Sequence, residues 1–227
     1  MSHYLLRFAS ALIFAGLATS ALSAELDTQE KKFSYVLGIQ FGQQLKNEGI
    51  MVDAQAFAAG VDDVLQGNPP KMSMQEMQAA LQAGRNELIM KKQAEAQAAM
   101  EKGQAFLEEN KKQDGVVVLP SGLQYIELKA GEGDSPAPES KVTVNYRGTL
   151  IDGTEFDSSY KRGEPTSFTL DGVIPGFREA ISMMKPGAKW KVFIPSDLGY
   201  GPNGAGGAIG PNETLIFEIE LLSVESE

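Results

Sequence analysis

Val142-Thr143-Val144-Asn145-Tyr146 alternates apolar and polar side chains and runs toward Ile151-Asp152-Gly153-Thr154, where an Asp-Gly pair supplies a hairpin turn. A period of two sends successive side chains to opposite faces, which marks a strand with one buried face. The same reading extends in both directions from here. Residues 116–119, 123–128, 167–170, 189–194 and 214–221 also read as strands. One short helix intervenes at about 176–184, and Lys185-Pro186-Gly187 ends it. Five or six strands and a single helix predict an α+β domain over residues 115–227, an antiparallel sheet wrapped on that helix.

Upstream of Asp114-Gly115 the period changes to that of a helix. Phe33, Val36, Leu37, Phe41 and Leu45 recur at three- and four-residue steps, and Asn47 and Gly49 supply a stop. Asp53 can cap a second helix whose inner side holds Phe57, Val61, Val64 and Leu65. Gly67-Asn68-Pro69-Pro70 breaks the chain, and Ser73-Met74-Gln75-Glu76 reads as a capping box opening a third helix. That helix meets no proline before Pro120, and to about Gln113 it would extend ~60 Å. Its apolar spacing fades after Leu88, which reads as a solvated rod. The helices before Gly115 carry small, Met-rich apolar faces, the methionines concentrated in the third. These suit two intertwined copies burying each other better than a self-contained hairpin. The expectation is a homodimer through residues 25–72, with residues 73–114 as a connecting helix.

Residues 1–24 carry one basic side chain, Arg7, then an apolar run over 8–18 and a small-residue segment ending at Ala24. This is the layout of a secretory signal, with an apolar core shorter than the ~20 residues of a spanning helix. The expectation is an exported protein, either free in the periplasm or associated with the outer membrane or cell surface.

Composition narrows the chemistry. The 227 residues include 20 Lys+Arg against 30 Asp+Glu, a formal net charge of −10, so nothing attracts the chain to nucleic acid. Cysteine is absent and the one histidine, His3, lies in the leader. A Ser-His-Asp triad and thiolate chemistry are therefore excluded, and no metal-ligand spacing stands out. The loop over residues 201–210 is rich in glycine, but it lacks the G-x-G-x-x-G order and leads into a strand instead of a helix. What remains is a set of aromatics spread over separate elements: Tyr146, Phe156, Phe177, Trp190, Tyr200 and Phe217. Trp190 and Phe168 read as core. Asp157, directly after Phe156, either caps a turn or sits in a pocket.

In order and spacing, several linked motifs resemble a known family. Val144-Asn145-Tyr146-Arg147-Gly148-Thr149-Leu150, Asp152-Gly153-Thr154-Glu155-Phe156-Asp157-Ser158-Ser159, Val173-Ile174-Pro175-Gly176-Phe177, Leu198-Gly199-Tyr200-Gly201 and Asn212-Glu213-Thr214-Leu215-Ile216-Phe217 are similar to the macrolide-binding immunophilins (FKBP). The stretch before them, with the helical region and leader, resembles the macrophage infectivity potentiator (Mip) type.

The resemblance implies peptidyl-prolyl cis-trans isomerase activity, carried by a dimer on long helical arms, with no cofactor and no metal. It also implies proline-containing unfolded or partly folded proteins as substrates and macrolides as inhibitors. Carried over by position, Asp157, Tyr200 and Tyr146 take the catalytic places, and Phe156, Val173, Ile174 and Phe217 line the substrate pocket with Phe177 as its floor. Relatives more often carry tryptophan at that floor. Phe177 keeps a flat base but loses an indole N–H and some contact area for large macrolides. A dimeric chaperone that cradles unfolded chains is the competing reading of the same features.

Overall fold

The computed structural model describes residues 25–137 and 139–225, so the leader segment read over residues 1–24 lies outside them. The chain divides into two compact units, one ending at Gln44 and the other running from Leu45 to Glu227. Among the described residues no helix is long and apolar enough to cross a membrane.

Among the described residues three helices come first: α1 (Gln29–Glu48), α2 (Ala54–Gln66) and α3 (Met74–Asn110). In α1 the apolar face stands exposed, with Phe33, Val36, Leu37 and Phe41 all near half-accessible. The cap read at Asp53 forms, its carboxylate accepting from the Ala56 N–H at 2.8 Å, and Gly67 closes α2 in the left-handed conformation at φ 71°. Phe57, Val61, Val64 and Leu65, expected on an inner side, are exposed in the single chain. The capping box at Ser73 is complete, with Glu76 N–H to Ser73 Oγ at 3.2 Å and Ser73 N–H to Glu76 Oε2 at 2.7 Å.

The sheet follows, with seven strands: β1 (Val117–Val118), β2 (Gln124–Lys129), β3 (Lys141–Leu150), β4 (Glu155–Ser158), β5 (Thr166–Thr169), β6 (Lys189–Ile194) and β7 (Leu215–Glu225). Its order is β1-β2-β6-β7-β3-β4, every pairing antiparallel. β5 pairs with the first half of β3, Lys141↔Thr169 to Val144↔Thr166, while β4 takes the second half, Arg147↔Ser158 to Thr149↔Glu155. One edge of β3 therefore carries two different short strands, β5 along its first half and β4 along its second.

Alternation along β7 buries Leu215, Phe217, Ile219 and Leu221 on one face. Helix α5 (Pro175–Met183) covers that face with Phe177, Ala180 and Ile181, and Met184 follows it into the core. Trp190, on β6, is buried and stacks on Tyr125 with ring centroids 4.0 Å apart, the core position expected for it. A further single helical turn, α4 (Ser159–Arg162), is too short to leave a periodic signal, and it adds to the one helix read from sequence.

The solvated-rod reading fails at the end of α3. Phe106 lies 5.9 Å from the Phe193 ring, on the face of β6 opposite α5. Asn110, 2% exposed, donates to Gln124 Oε1 at 2.8 Å, and Gln124 Nε2 donates to the Leu107 carbonyl at 2.9 Å. Gly103 is buried so close to Thr214 that an added Cβ would collide with the threonine side chain. The helix is anchored by shape and amides, not by an apolar stripe, so periodicity could not reveal the contact.

Candidate active site

The two strands sharing the β3 edge and the elements around α5 enclose a cleft of about 530 Å³. Tyr146 comes from β3, Phe156 and Asp157 from β4, Phe217 from β7, and Phe177 from α5. Val173 and Ile174 precede α5, with Ile174 at its N-cap. Tyr200 stands at the mouth, 40% exposed. The structure thus places all eight sequence-derived site residues on one cleft.

Rings form its base. Phe177, 5% exposed, meets Phe217 at 4.9 Å and Tyr146 at 5.9 Å edge to face, and Phe168 at 5.7 Å with tilted rings. Phe156 meets Phe217 at 5.4 Å with planes 80° apart. Such edge-to-face pairs add ~0.5–1.5 kcal/mol each beyond burial and fix ring orientation. Gly148 makes the cluster possible: an added Cβ would lie 2.5 and 2.6 Å from Phe156 ring carbons and 2.9 Å from Phe217.

Phe168, read from sequence as core, lines this cleft instead. It sits on β5, whose pairing with β3 brings it to the cleft, and only three-dimensional register reveals that. No sequence pattern singles out Arg162. Its Nη1 donates to Asp157 Oδ1, and its Nη2 donates to the Tyr146 hydroxyl at 2.9 Å and to Thr166 Oγ1 at 2.9 Å. The Tyr146 hydroxyl in turn donates to Asp157 Oδ2, and the Ser158 N–H donates to Asp157 Oδ1 at 2.8 Å. The only sequence signal for Arg162 is its place five residues after Asp157, at the end of a turn capped by Ser158 and Gly163.

Of the two roles left open for Asp157, the structure takes the pocket: it lines the cleft, and Ser158 caps the adjoining turn. Burial pushes its pKa up, but the donors from Tyr146 and Arg162 outweigh burial and hold it below the usual carboxylate value. Burial, then the bond to Asp157, raises the Tyr146 phenol above its ordinary range. At neutral pH Asp157 is therefore a fixed anion and Tyr146 a fixed neutral donor. Neither is poised to exchange protons with a substrate.

The glycine-rich loop forms the far wall through Ala205, Gly206, Gly207, Ala208 and Ile209. It is tied to itself, Ala205 N–H to Ile209 O at 3.0 Å and Ile209 N–H to Gly206 O at 3.2 Å. Gly204, at φ 63°, passes so close to residues 209–210 that a Cβ would lie 2.5 Å from the Ile209 carbonyl oxygen. The glycines allow a tight fold-back.

A sheet wrapped on one helix, with a ring-floored cleft free of titrating acid-base pairs, defines a domain that grips a flat apolar group. Residues 133–222 match the model of the FKBP-type peptidyl-prolyl cis-trans isomerases, and residues 30–126 match the domain amino-terminal to them. The chain is 45% identical over 219 residues to outer membrane protein MIP of Legionella longbeachae, covering 92% of this chain and 94% of that protein. It is 43% identical to peptidyl-prolyl cis-trans isomerase Mip of Coxiella burnetii over the full length of both. The crystal structure of FkpA from Escherichia coli superposes with a TM-score of 0.65 at 40% identity, covering 88% of this chain and 98% of that one. The chain belongs to the FKBP-type peptidyl-prolyl cis-trans isomerases.

Proposed function

We propose that the cleft accelerates Xaa-Pro isomerisation by desolvation and by stabilising the twisted amide, with Asp157, Tyr200 and Tyr146 as its polar groups. Resonance gives the peptide C–N bond a rotational barrier of ~18–20 kcal/mol, so an unassisted Xaa-Pro bond turns over in tens to hundreds of seconds. In the planar state the carbonyl oxygen is more negative and better hydrated than in the twisted state. A water-poor cleft floored by Phe177 and walled by Phe156 and Phe217 therefore disfavours planarity. The proline ring fits between flat faces that orient the bond, while Val173 and Ile174 hold the adjoining residue. The Ile174 N–H and the Tyr200 hydroxyl donate to neighbouring carbonyls, and Asp157 orients Tyr146. Lowering the barrier by ~6–8 kcal/mol gives roughly 10⁴–10⁶-fold. No cofactor takes part.

The observation that carries this reading is the Asp157–Tyr146–Arg162 network at the edge of an aromatic cleft, which fixes polarity without supplying a mobile proton. The test is cis-to-trans conversion of a short Xaa-Pro peptide, with and without a macrolide. Tyr200→Phe together with Asp157→Ala should abolish most of the acceleration. Unchanged turnover in that double variant would remove the cleft from the mechanism.

The wider role we propose is the folding of exported proteins, in the periplasm or at the outer membrane. The leader-like residues 1–24 support this, as does the name outer membrane protein MIP borne by the Legionella relative. Residues 25–72 are proposed to dimerise, residues 73–114 to connect and residues 115–227 to catalyse. The exposed apolar faces of α1 and α2 support the first of these roles, and they would equally serve to hold unfolded clients. Sedimentation at micromolar concentration tests it: a mass of two chains is expected, and a mass of one chain would end the dimer proposal.

A further inference from the structure

The prolyl cleft shares a wall with a second groove. Gly207 and Ala208 line the cleft on one side and, on the other, a groove of about 430 Å³. Ala98, Ala99 and Lys102 of α3 form one flank of that groove. The turn between β3 and β4 contributes Ile151 and Asp152, and Glu213 closes the end. The shared wall is braced: the Asn212 side-chain amide donates to the Ala96 carbonyl of α3 at 3.2 Å, and its N–H donates to Gly201 O at 2.8 Å. Asn212 adopts the left-handed conformation, φ 56°, the one non-glycine residue among those described to do so. A groove that opens beside the cleft is thus built from the long helix as well as the sheet.

We propose that this groove receives the part of the substrate polypeptide that leaves the prolyl cleft across Gly207 and Ala208, and that it selects a lysine or arginine there. The proposal rests on the prolyl-cleft reading above. An extended chain advances about 3.3–3.6 Å per residue, so two to four residues beyond the proline reach about 7–14 Å past it. The lining is apolar at Ala98, Ala99 and Ile151, and it suits the methylene stem of a basic side chain whose head stays in water. At the rim Asp152 and Glu213 face a single ammonium, Lys102, whose field acts on both carboxylates. Glu95, also on the rim, is shared with Lys91 at 3.9 Å. The surplus is negative, in keeping with the charge of the whole chain. Burial lifts the Glu213 pKa, so this carboxylate is incompletely compensated where it stands.

The test uses the full chain and proline peptides of about ten residues, each with one Lys or one Glu placed two, three or four positions before or after the proline. On one side of the proline, kcat/KM should favour Lys over Glu by roughly threefold to tenfold, the scale of one or two exposed charge pairs. The preference should fall to unity in Asp152→Asn/Glu213→Gln. The amide introduced at position 152 keeps an oxygen able to accept from the Thr154 N–H, as the Asp152 carboxylate does, so the turn is preserved. The preference should also vanish near 1 M salt, where the screening length is about 3 Å. Filling the groove with Ala98→Trp should erase the advantage of a ten-residue peptide over a four-residue one while leaving the short peptide unchanged. An equal Lys-to-Glu ratio in parent and double variant, or no preference in the parent, would overturn the proposal. Failure of the cleft itself reads differently: turnover of the four-residue peptide would then survive Phe217→Ala.

Discussion

Tyr146 and Asp157, on neighbouring strands β3 and β4, are joined by a hydrogen bond from the phenol to the carboxylate, and Arg162 donates to both. The arrangement fixes two protonation states at once. Asp157 is held below its ordinary 3.8 because the donors outweigh burial, and Tyr146 is held above 10.0 by burial and by Asp157. Isomerase activity is therefore expected to be flat between about pH 5 and pH 9, measured with a proline peptide under constant ionic strength. Stability should fall at both ends. Asp157 gains its donors only in the native state as an anion, so its contribution is present above pH 3.8 and is lost as pH drops through the lower native value. The Tyr146 phenol ionises more easily in the unfolded chain, so stability declines as pH rises past 10.0. A bell-shaped kcat/KM centred near neutrality would contradict this.

Arg162 sits at the surface end of the network, its side chain 43% exposed. An ion pair that exposed stabilises the fold by less than about 1 kcal/mol. Its effect should appear in turnover instead, because Tyr146 loses a donor and Asp157 is freed to rotate. Arg162→Leu is expected to lower kcat/KM by about fivefold to twentyfold. The urea midpoint, followed by the single Trp190, should hardly move. Trp190 stacks on Tyr125 and is absent from the cleft lining, so its fluorescence reports the fold.

Gly148 lies behind the rings, where a methyl group would overlap Phe156 and press on Phe217. Gly148→Ala should push both rings into the cleft and cost ~1–3 kcal/mol, the range for overpacking a filled interior. Thermal unfolding should show the loss. Activity should fall further than stability, since the displaced rings occupy the proline site. A variant with parental activity and a lowered midpoint would show that the rings relax outward.

Phe168 distinguishes a core residue from a cleft wall. Half-buried on β5, it touches Phe177 yet lines the open volume. Phe168→Ala should widen the cleft, with ~1–3 kcal/mol lost and kcat/KM down about tenfold for short peptides. Bulky macrolides should be less affected, because they can fill the vacated space. Equal losses for peptide and macrolide would place Phe168 in the core, as its alternation alone suggests.

The sheet was legible because β3 and β7 alternate over long spans and bury one face. The cleft was legible only through motif resemblance, since Tyr146, Phe156, Tyr200 and Phe217 lie far apart in sequence. What escaped shares a physical reason. α4 is a single turn, so Arg162 had no period to reveal it. Phe168 alternates like any core residue, and its opening onto the cleft depends on which strand β5 pairs with. The end of α3 docks through Gly103 and Asn110, an absent side chain and an amide, where a search for apolar stripes finds nothing.

That docking has a measurable consequence. Gln124, 3% exposed, accepts from Asn110 through its carbonyl and donates through its amide to the Leu107 carbonyl, so β2 has two polar bonds into the helix. Asn110→Leu removes the donor and leaves the Gln124 oxygen buried without one, at a cost of ~1–3 kcal/mol. Changing both sides, Asn110→Leu with Gln124→Leu, should recover part of the loss, because no stranded polar group remains. The Phe106–Phe193 contact runs in parallel and adds apolar burial on the same face. A fragment beginning at residue 101 should therefore unfold at higher urea than one beginning at residue 115, although both contain every strand of the sheet. Equal midpoints would mean that the last turns of α3 rest on the sheet without stabilising it.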